Sequence, residues 1–301
     1  MPERAVRPAG VMVPVTTPFD VATGDIAPVS WRGNLRRWME HPLDGAVLFG
    51  STGEGVLLDE DEKVRLLGFA RDVVPPDRLL IAGTDGESTR AIIRQAKRLA
   101  EAGADALLVH VPPYFSSALS PAAIRDYYLA VADAAPVPIV LYHIPKYSKA
   151  VFEPGLVAEL ARHPNIAGLK DSSGDMKRFA EYADACGEDC SLLVGNGAQF
   201  YTALELGAAG GIIALGLLAP AECAAIYRHY TAGESRPAGE IQERIAGVHR
   251  EIVAQYGAPG VKAALELLGY DGGPPRPPLV GLGEKQRREL ARVMQQAGLL
   301  G

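Results

Sequence analysis

Ile139-Val140-Leu141-Tyr142-His143-Ile144-Pro145 and, further on, Ile166-Ala167-Gly168-Leu169-Lys170-Asp171 decide the fold. Each is an apolar run too short for a globular helix, rich in Val, Ile and Leu, and bounded by Gly, Pro or Asp, as buried parallel strands are. Working outward, similar runs occur at Val11–Phe19, Gly45–Gly50, Leu79–Thr84, Ala106–Pro112, Ser191–Asn196 and Gly211–Gly216, while the two quoted runs extend over Pro138–Pro145 and Ile166–Ser173. Helical periodicity fills the gaps. Asp59 with Glu62 three residues on reads as a capping box, and Ser88 caps a stretch whose apolar stripe is Ile92, Ala96 and Leu99. Strands alternating with helices over residues 11–230 predict an α/β fold, a (β/α)8 TIM barrel. An open doubly wound sheet would favour a glycine-rich turn after the first strand, and Thr16-Thr17-Pro18-Phe19 is not one. We therefore expect a barrel over residues 1–230 that carries the active site. A C-terminal helical extension over residues 231–301 packs on it, interrupted by the rigid loop Gly272-Gly273-Pro274-Pro275-Arg276-Pro277-Pro278.

Composition narrows the function. Apolar residues make up 48% and charged residues 22% of 301, ordinary for a globular chain. The 33 glycines and 23 prolines fall short of a low-complexity fraction, which is roughly 25–30%. A formal charge of −6 with no basic cluster argues against nucleic acid. Residues 1–10 lack the apolar core of a signal peptide, and the uncharged stretch from Leu206 to Ala221 is too short and too broken to span a bilayer. Neither a membrane nor export is expected. Three cysteines (Cys186, Cys190, Cys223), odd in number and without metal-ligand spacing, suit a reducing cytoplasm.

In a barrel, polar residues at strand C-termini are the ones to read as catalytic. Lys170 is one of only eight lysines and ends its strand on the face shared by Ile166 and Gly168. If that face is the interior, lost solvation favours the neutral, nucleophilic amine. The bland alternative is a lysine that reaches solvent or pairs with Asp171. Tyr142 is either a proton relay or a core aromatic whose hydroxyl has one partner. His143 then packs outward. Gly50-Ser51-Thr52-Gly53-Glu54 sets two hydroxyls and several N–H groups between glycines, which suits a small carboxylate or makes only a structural turn. It lacks the lysine of a phosphate loop, so no nucleotide is expected, and Glu54 orders it. The six histidines show no metal-binding spacing, and His110 reads as a satisfied core residue, so no metal is expected. The chemistry then falls to side chains.

Together these residues resemble the dihydrodipicolinate synthase and N-acetylneuraminate lyase family of Schiff-base barrels. The likeness runs from Pro14-Val15-Thr16-Thr17-Pro18-Phe19 through the Ser-Thr loop, the tyrosine and the lysine strand. It continues to Gly195-Asn196-Gly197, Gly210-Gly211-Ile212-Ile213 and Pro259-Gly260-Val261-Lys262-Ala263-Ala264-Leu265. The resemblance implies that Lys170 forms an imine with pyruvate or another 2-oxo acid and that Tyr142 relays protons. It also implies that Ser51 and Thr52 hold the carboxylate and that Ile213 lines the pocket through its backbone. No cofactor is implied; a homo-oligomer, dimer or tetramer, is.

Departures from the pattern bear on the substrate. Dihydrodipicolinate synthases usually carry an arginine after the tyrosine for the carboxylate of aspartate semialdehyde; here Tyr147 stands in its place, with Lys146 and Lys149 as poorer substitutes. Their Tyr-Tyr pair, which lends a relay hydroxyl to the neighbouring subunit, is Tyr114-Phe115 here. Gly86-Glu87-Ser88-Thr89, His163-Pro164-Asn165-Ile166, Lys170-Asp171-Ser172-Ser173-Gly174-Asp175 and Tyr270 through Leu279 resemble instead the 4-hydroxy-2-oxoglutarate aldolase branch. The expected function is a class I aldolase or lyase joining or cleaving pyruvate and an aldehyde. Its alternatives are dihydrodipicolinate synthase, a sugar-acid lyase or dehydratase and, outside enzymes, a 2-oxo-acid sensor.

Overall fold

Eight parallel strands close on themselves in sequence order, β1 (Gly10–Pro14), β2 (Gly45–Leu48), β3 (Leu79–Thr84), β4 (Ala106–His110), β5 (Ile139–His143), β6 (Ile166–Asp171), β7 (Ser191–Val194) and β8 (Gly210–Ile212), with β8 pairing back to β1. This computed structural model describes residues 6–188 and 190–301. Residues 1–5, part of the stretch read as lacking a signal peptide, lie outside them. The (β/α)8 barrel expected from the strand–helix alternation is the fold observed. Helices α1 (Pro28–Met39), α2 (Glu60–Arg71), α3 (Thr89–Glu101), α4 (Pro121–Ala134), α5 (Pro154–Leu160), α6 (Met176–Cys186), α7 (Phe200–Glu205) and α8 (Pro220–Thr231) follow the strands in turn.

The expected caps are present. Glu62 accepts the Asp59 N–H at 2.9 Å, and Ser88 Oγ accepts the Ala91 N–H at 3.2 Å. Strand alternation sorts the core into two clusters. Val11, Val13, Leu107, Val109, Ile139 and Leu141 face the helices, whereas Met12, Val47, Ile81, Leu108, Val140, Tyr142 and Leu193 fill the barrel.

One sequence expectation is corrected at β6. Strict alternation would put Ile166 inward with Gly168 and Lys170, but Ile166 packs among the outer cluster. The cause is an irregularity in pairing: Ile139 matches Ile166 while Val140 matches Gly168, so Ala167 is an extra residue that shifts the phase. Beyond the slip Tyr142 pairs with Lys170 and His143 with Asp171.

After α8 the chain remains helical. Helix α9 (Ser235–Val248) runs into a π-helical turn (His249–Ala254) and then α10 (Gln255–Leu267), which is broken at Gly257, where φ is 59°. Helix α11 (Glu284–Gln296) closes the fold. Among the described residues no helix is long and apolar enough to cross a membrane.

Candidate active site

Lys170 is only 4% exposed and projects into the barrel mouth, with Nζ 4.3 Å from the centroid of the Tyr142 ring. Their pairing across β5 and β6 fixes that approach. The bland reading of Lys170, an ion pair with Asp171, is not what the geometry gives. The Asp171 carboxylate sits on the outer face, with Oδ1 2.6 Å from His143 Nδ1 and accepting the Ser173 N–H, and Oδ2 accepting the Ser173 hydroxyl at 2.8 Å. His143 itself packs outward against Phe152 and Tyr182.

Ser51 and Thr52 form a 3-10 turn at the end of β2 and line the same cavity of about 290 Å³ as Lys170 and Tyr142. The loop is tightly shaped. Phe49 and Glu54 adopt left-handed backbone (φ 60° and 55°), which is costly without glycine and persists only where surroundings impose it. A Cβ on Gly55 would lie 1.9 Å from the Phe49 carbonyl oxygen, so only glycine fits. Thr17 Oγ1 donates to the Gly53 carbonyl at 2.8 Å.

Glu54 supplies the imposing contacts. One carboxylate oxygen accepts from Lys262 Nζ at 2.6 Å and the other accepts the Arg276 N–H at 2.8 Å, both ion-pair partners being buried. Lys262 also donates to the Pro274 carbonyl at 2.7 Å, and the Arg276 guanidinium grips both oxygens of Glu62. Both cations lie over the Phe19 ring. The C-terminal extension thus braces the hydroxyl loop, as expected of Glu54, through partners that sequence reading did not connect to it.

The remaining predicted residues fall in three places. Ile213 is buried with its side chain in the outer cluster and its N–H on the Met12 carbonyl, while its neighbours Ile212 and Ala214 line the cavity. Tyr147 is half-exposed at the rim, and burial together with the nearby Tyr142 raises its phenol above the usual range. Tyr114 is 78% exposed, stacked edge-on with Phe115, and does not reach the cavity within this chain. Lys146 lines the rim but donates to the Ala254 carbonyl at 3.2 Å, and Lys149 donates to the Lys146 carbonyl at 3.0 Å.

A second cavity, of about 630 Å³, adjoins the first across Ser51, Tyr142 and Tyr147 and is lined further by Asp85, Glu87 and His110. His110 has Nδ1 2.9 Å from the Val111 carbonyl oxygen and burial lowers its basicity, but it is only partly buried and lines this cavity rather than the core expected for it. Sequence reading missed Ser172, Asn196 as a wall residue, and His249, all of which line the Lys170 cavity. Ser172 and Asn196 stand after β6 and β7 in stretches that carry the family likeness, but no role was read from them, and His249 carries no sequence signal at all. No group of three or more His, Cys, Asp or Glu among the described residues could hold a metal.

The dihydrodipicolinate synthetase family model matches residues 7–297. The chain belongs to that family. The 4-hydroxy-tetrahydrodipicolinate synthase of Exiguobacterium is 32% identical over 287 residues, 95% of this chain and 97% of the relative. That of Syntrophus aciditrophicus is 33% identical over 294 residues, 97% of this chain and 99% of the relative. Among solved structures, a dihydrodipicolinate synthase of Bacillus anthracis superposes with a TM-score of 0.90 at 28% identity, covering 95% of this chain and 97% of that one. The lysine-bound enzyme of Cyanidioschyzon merolae gives 0.91 at 28% identity, covering 97% and 99%. As a member of the dihydrodipicolinate synthetase family, the protein is an aldolase-type enzyme, of a family whose chemistry runs through a lysine Schiff base.

Proposed function

We propose that the protein is a class I aldolase that reversibly cleaves a 4-hydroxy-2-oxo acid, such as 4-hydroxy-2-oxoglutarate, to pyruvate and an aldehyde through an imine on Lys170. The observation that carries this reading is the buried Lys170 amine over the Tyr142 ring, in one cavity with Ser51 and Thr52. The neutral amine attacks C2 of the 2-oxo acid, and the carbinolamine loses water to give a protonated imine. That imine draws electrons from the C3–C4 bond. The bond breaks as the C4 hydroxyl gives up its proton, the aldehyde leaves, and an enamine remains. Protonation at C3 and addition of water at C2 return pyruvate and the free amine.

Tyr142 serves as the proton relay, Ser51 and Thr52 take the carboxylate, and the backbone around Ile213 completes the floor. No metal or nucleotide is required by these steps. Tyr147 contacts the distal part of the substrate, and the Tyr114-Phe115 pair belongs to a contact between subunits of a cytoplasmic homo-oligomer, a dimer or tetramer. The second reading is 4-hydroxy-tetrahydrodipicolinate synthesis from pyruvate and aspartate semialdehyde. The names of the relatives favour it; the phenol of Tyr147 in place of a guanidinium and the absence of a hydroxyl on Phe115 count against it.

The test is intact-protein mass after incubation with pyruvate and borohydride, followed by peptide mapping. Reduced pyruvate on Lys170 is expected. No adduct with any 2-oxo acid would refute the imine.

A further inference from the structure

A phenol can pass a proton along but cannot keep one. For Tyr142 to take up the proton of the C4 hydroxyl it must give up its own in the same event, so the relay needs a base behind it. The rung on which Tyr142 sits supplies one. Across β4, β5 and β6 the pairing sets His110 opposite Tyr142 and Tyr142 opposite Lys170. Alternation along β4 puts His110 on the barrel side with Ala106 and Leu108, which share the inner cluster with Tyr142. His110 and Tyr142 both line the cavity of about 630 Å³ that adjoins the Lys170 site. Neighbouring strands lie about 4.8 Å apart, a spacing that a hydrogen bond spans directly or through one water.

The imidazole is held in the form that a base needs. A carbonyl oxygen only accepts, so Nδ1, 2.9 Å from that of Val111, carries the proton and Nε2 carries the lone pair. Tyr127 on α4 fixes the backbone, its hydroxyl donating to the His110 carbonyl at 3.0 Å. Among the described residues Nε2 has no hydrogen-bond partner, and it is not sealed inside the protein. Burial is the main cause that lowers its basicity. The Val111 carbonyl and Glu87 oppose that effect and Lys63 on α2 adds to it, so the ring is neutral at ordinary pH. The other titratable groups around the cavity are engaged or unsuited. Glu54 holds Lys262 and the Arg276 N–H, Asp85 holds the buried Lys63 ammonium, and Glu87 accepts the Tyr114 N–H at 3.1 Å. Tyr147 is a second phenol and meets the same limit as the first.

We propose that His110 Nε2 is the terminus of the Tyr142 relay, taking the proton of the C4 hydroxyl through the phenol and returning it by the same route to C3 of the enamine. At cleavage the C4 O–H bond breaks, the phenol accepts that proton and passes its own to Nε2, and the C3–C4 electron pair moves into the imine. When the enamine becomes an imine again, the imidazolium gives its proton back through Tyr142 to C3. One proton leaves the C4 oxygen and one arrives at C3, so the two steps balance without a further reactant. His110 acts through Tyr142 and does not touch the substrate. The inference rests on the imine reading of Lys170 and adds the base to it.

The experiment uses the full chain and pyruvate alone, so the identity of the aldehyde does not enter. Exchange of the pyruvate methyl protons in deuterium oxide, followed by NMR, reads proton transfer at C3, and borohydride trapping reads the imine. His110→Asn keeps an N–H where Nδ1 stands and removes the basic nitrogen. It is expected to slow exchange about 10²-fold, while the half-saturating pyruvate concentration for trapping moves less than about twofold. In wild type the exchange rate at saturating pyruvate, divided by the trapped fraction, falls as pH drops through the imidazole range below about 6.5, and His110→Asn lacks that limb. In a Tyr142→Phe background His110→Asn costs less than about twofold more, because the two residues act in series.

Exchange in His110→Asn within about threefold of wild type, or additive losses in the double variant, overturns the inference while the trapped adduct leaves the imine standing. Equal losses of trapping and exchange assign His110 a structural role and overturn it as well. If the variant does not fold, the wild-type profile decides: a normalised rate that is flat from about pH 8 to about pH 5 overturns the inference. Absence of a pyruvate adduct in wild type overturns the imine reading and this inference with it.

Discussion

Replacing Lys262 by Met removes one half of a buried ion pair and leaves the Glu54 carboxylate with the Arg276 N–H as its remaining partner. Methionine matches the length of the lysine stem and keeps an apolar contact over Phe19, so the change is chiefly one of charge. Breaking a buried pair on one side costs about 3–5 kcal/mol, because the survivor stays buried and uncompensated. An unfolding entropy of about 2.1 cal/mol/K per residue, taken over 301 residues, converts that to a fall in Tm of roughly 5–8 °C. Differential scanning calorimetry reads it directly. Because Glu54 holds the left-handed turn that carries Ser51 and Thr52, KM for pyruvate should rise at the same time, even though Lys262 does not line the cavity. The double variant Glu54→Gln, Lys262→Met should lose less than the two single changes added together, by about 1–3 kcal/mol of coupling. A Tm within about 1 °C of wild type for Lys262→Met, or strict additivity in the double variant, would refute the clamp.

Other outcomes follow from the same structure. Lys170→Ala should abolish turnover and the borohydride adduct while the far-ultraviolet circular dichroism stays that of the wild type; retained activity would remove the imine. Tyr142→Phe should slow turnover by about 10²–10⁴, and a change under about threefold in steady-state kinetics would demote it to packing. Tyr147→Arg at the half-exposed rim should lower KM for aspartate semialdehyde without loss of stability, tested by condensation with pyruvate. His249 should also shape acid stability. The unfolded chain protonates this imidazole near about 6.5, whereas burial holds the folded one to about 4. Its contribution is therefore intact above pH of about 6.5 and falls by about 3 kcal/mol as pH drops through that interval to about 4. In urea titrations His249→Gln should lack that part of the slope, and identical slopes would disprove it.

The eight strands were legible because buried parallel strands are uniformly apolar, a pattern that Leu79–Thr84 displays from end to end. The runs overshot at their C-terminal ends: Val15–Phe19 and Leu215–Gly216 are as apolar as a strand but have left the sheet. Those ends are buried turns next to the cavity residues Pro14 and Ala214, and buried turns need apolar residues as much as strands do. Lys170 and Tyr142 could be paired from alternation near the ends of β5 and β6, yet the phase of Ile166 could not, since an extra residue at Ala167 leaves no mark in hydrophobic pattern. Long-range polar partners were out of reach altogether. Nothing local links Glu54 with Lys262, 208 residues away, and nothing in the periodicity of α9 signals that a π turn aims His249 back at the barrel.

That separation has a consequence for how the enzyme comes into being. The hydroxyl loop is made early, but Lys262 lies 208 residues and Arg276 222 residues after the glutamate they hold. At translation rates of about 5–20 residues per second, the loop waits roughly 10–40 s before its braces are even polymerised. A nascent chain that has made all eight strands still lacks the braces that shape the Ser51–Thr52 loop. A finished mouth therefore arrives as a late event of synthesis, and a chain released before residue 276 would be a barrel without it.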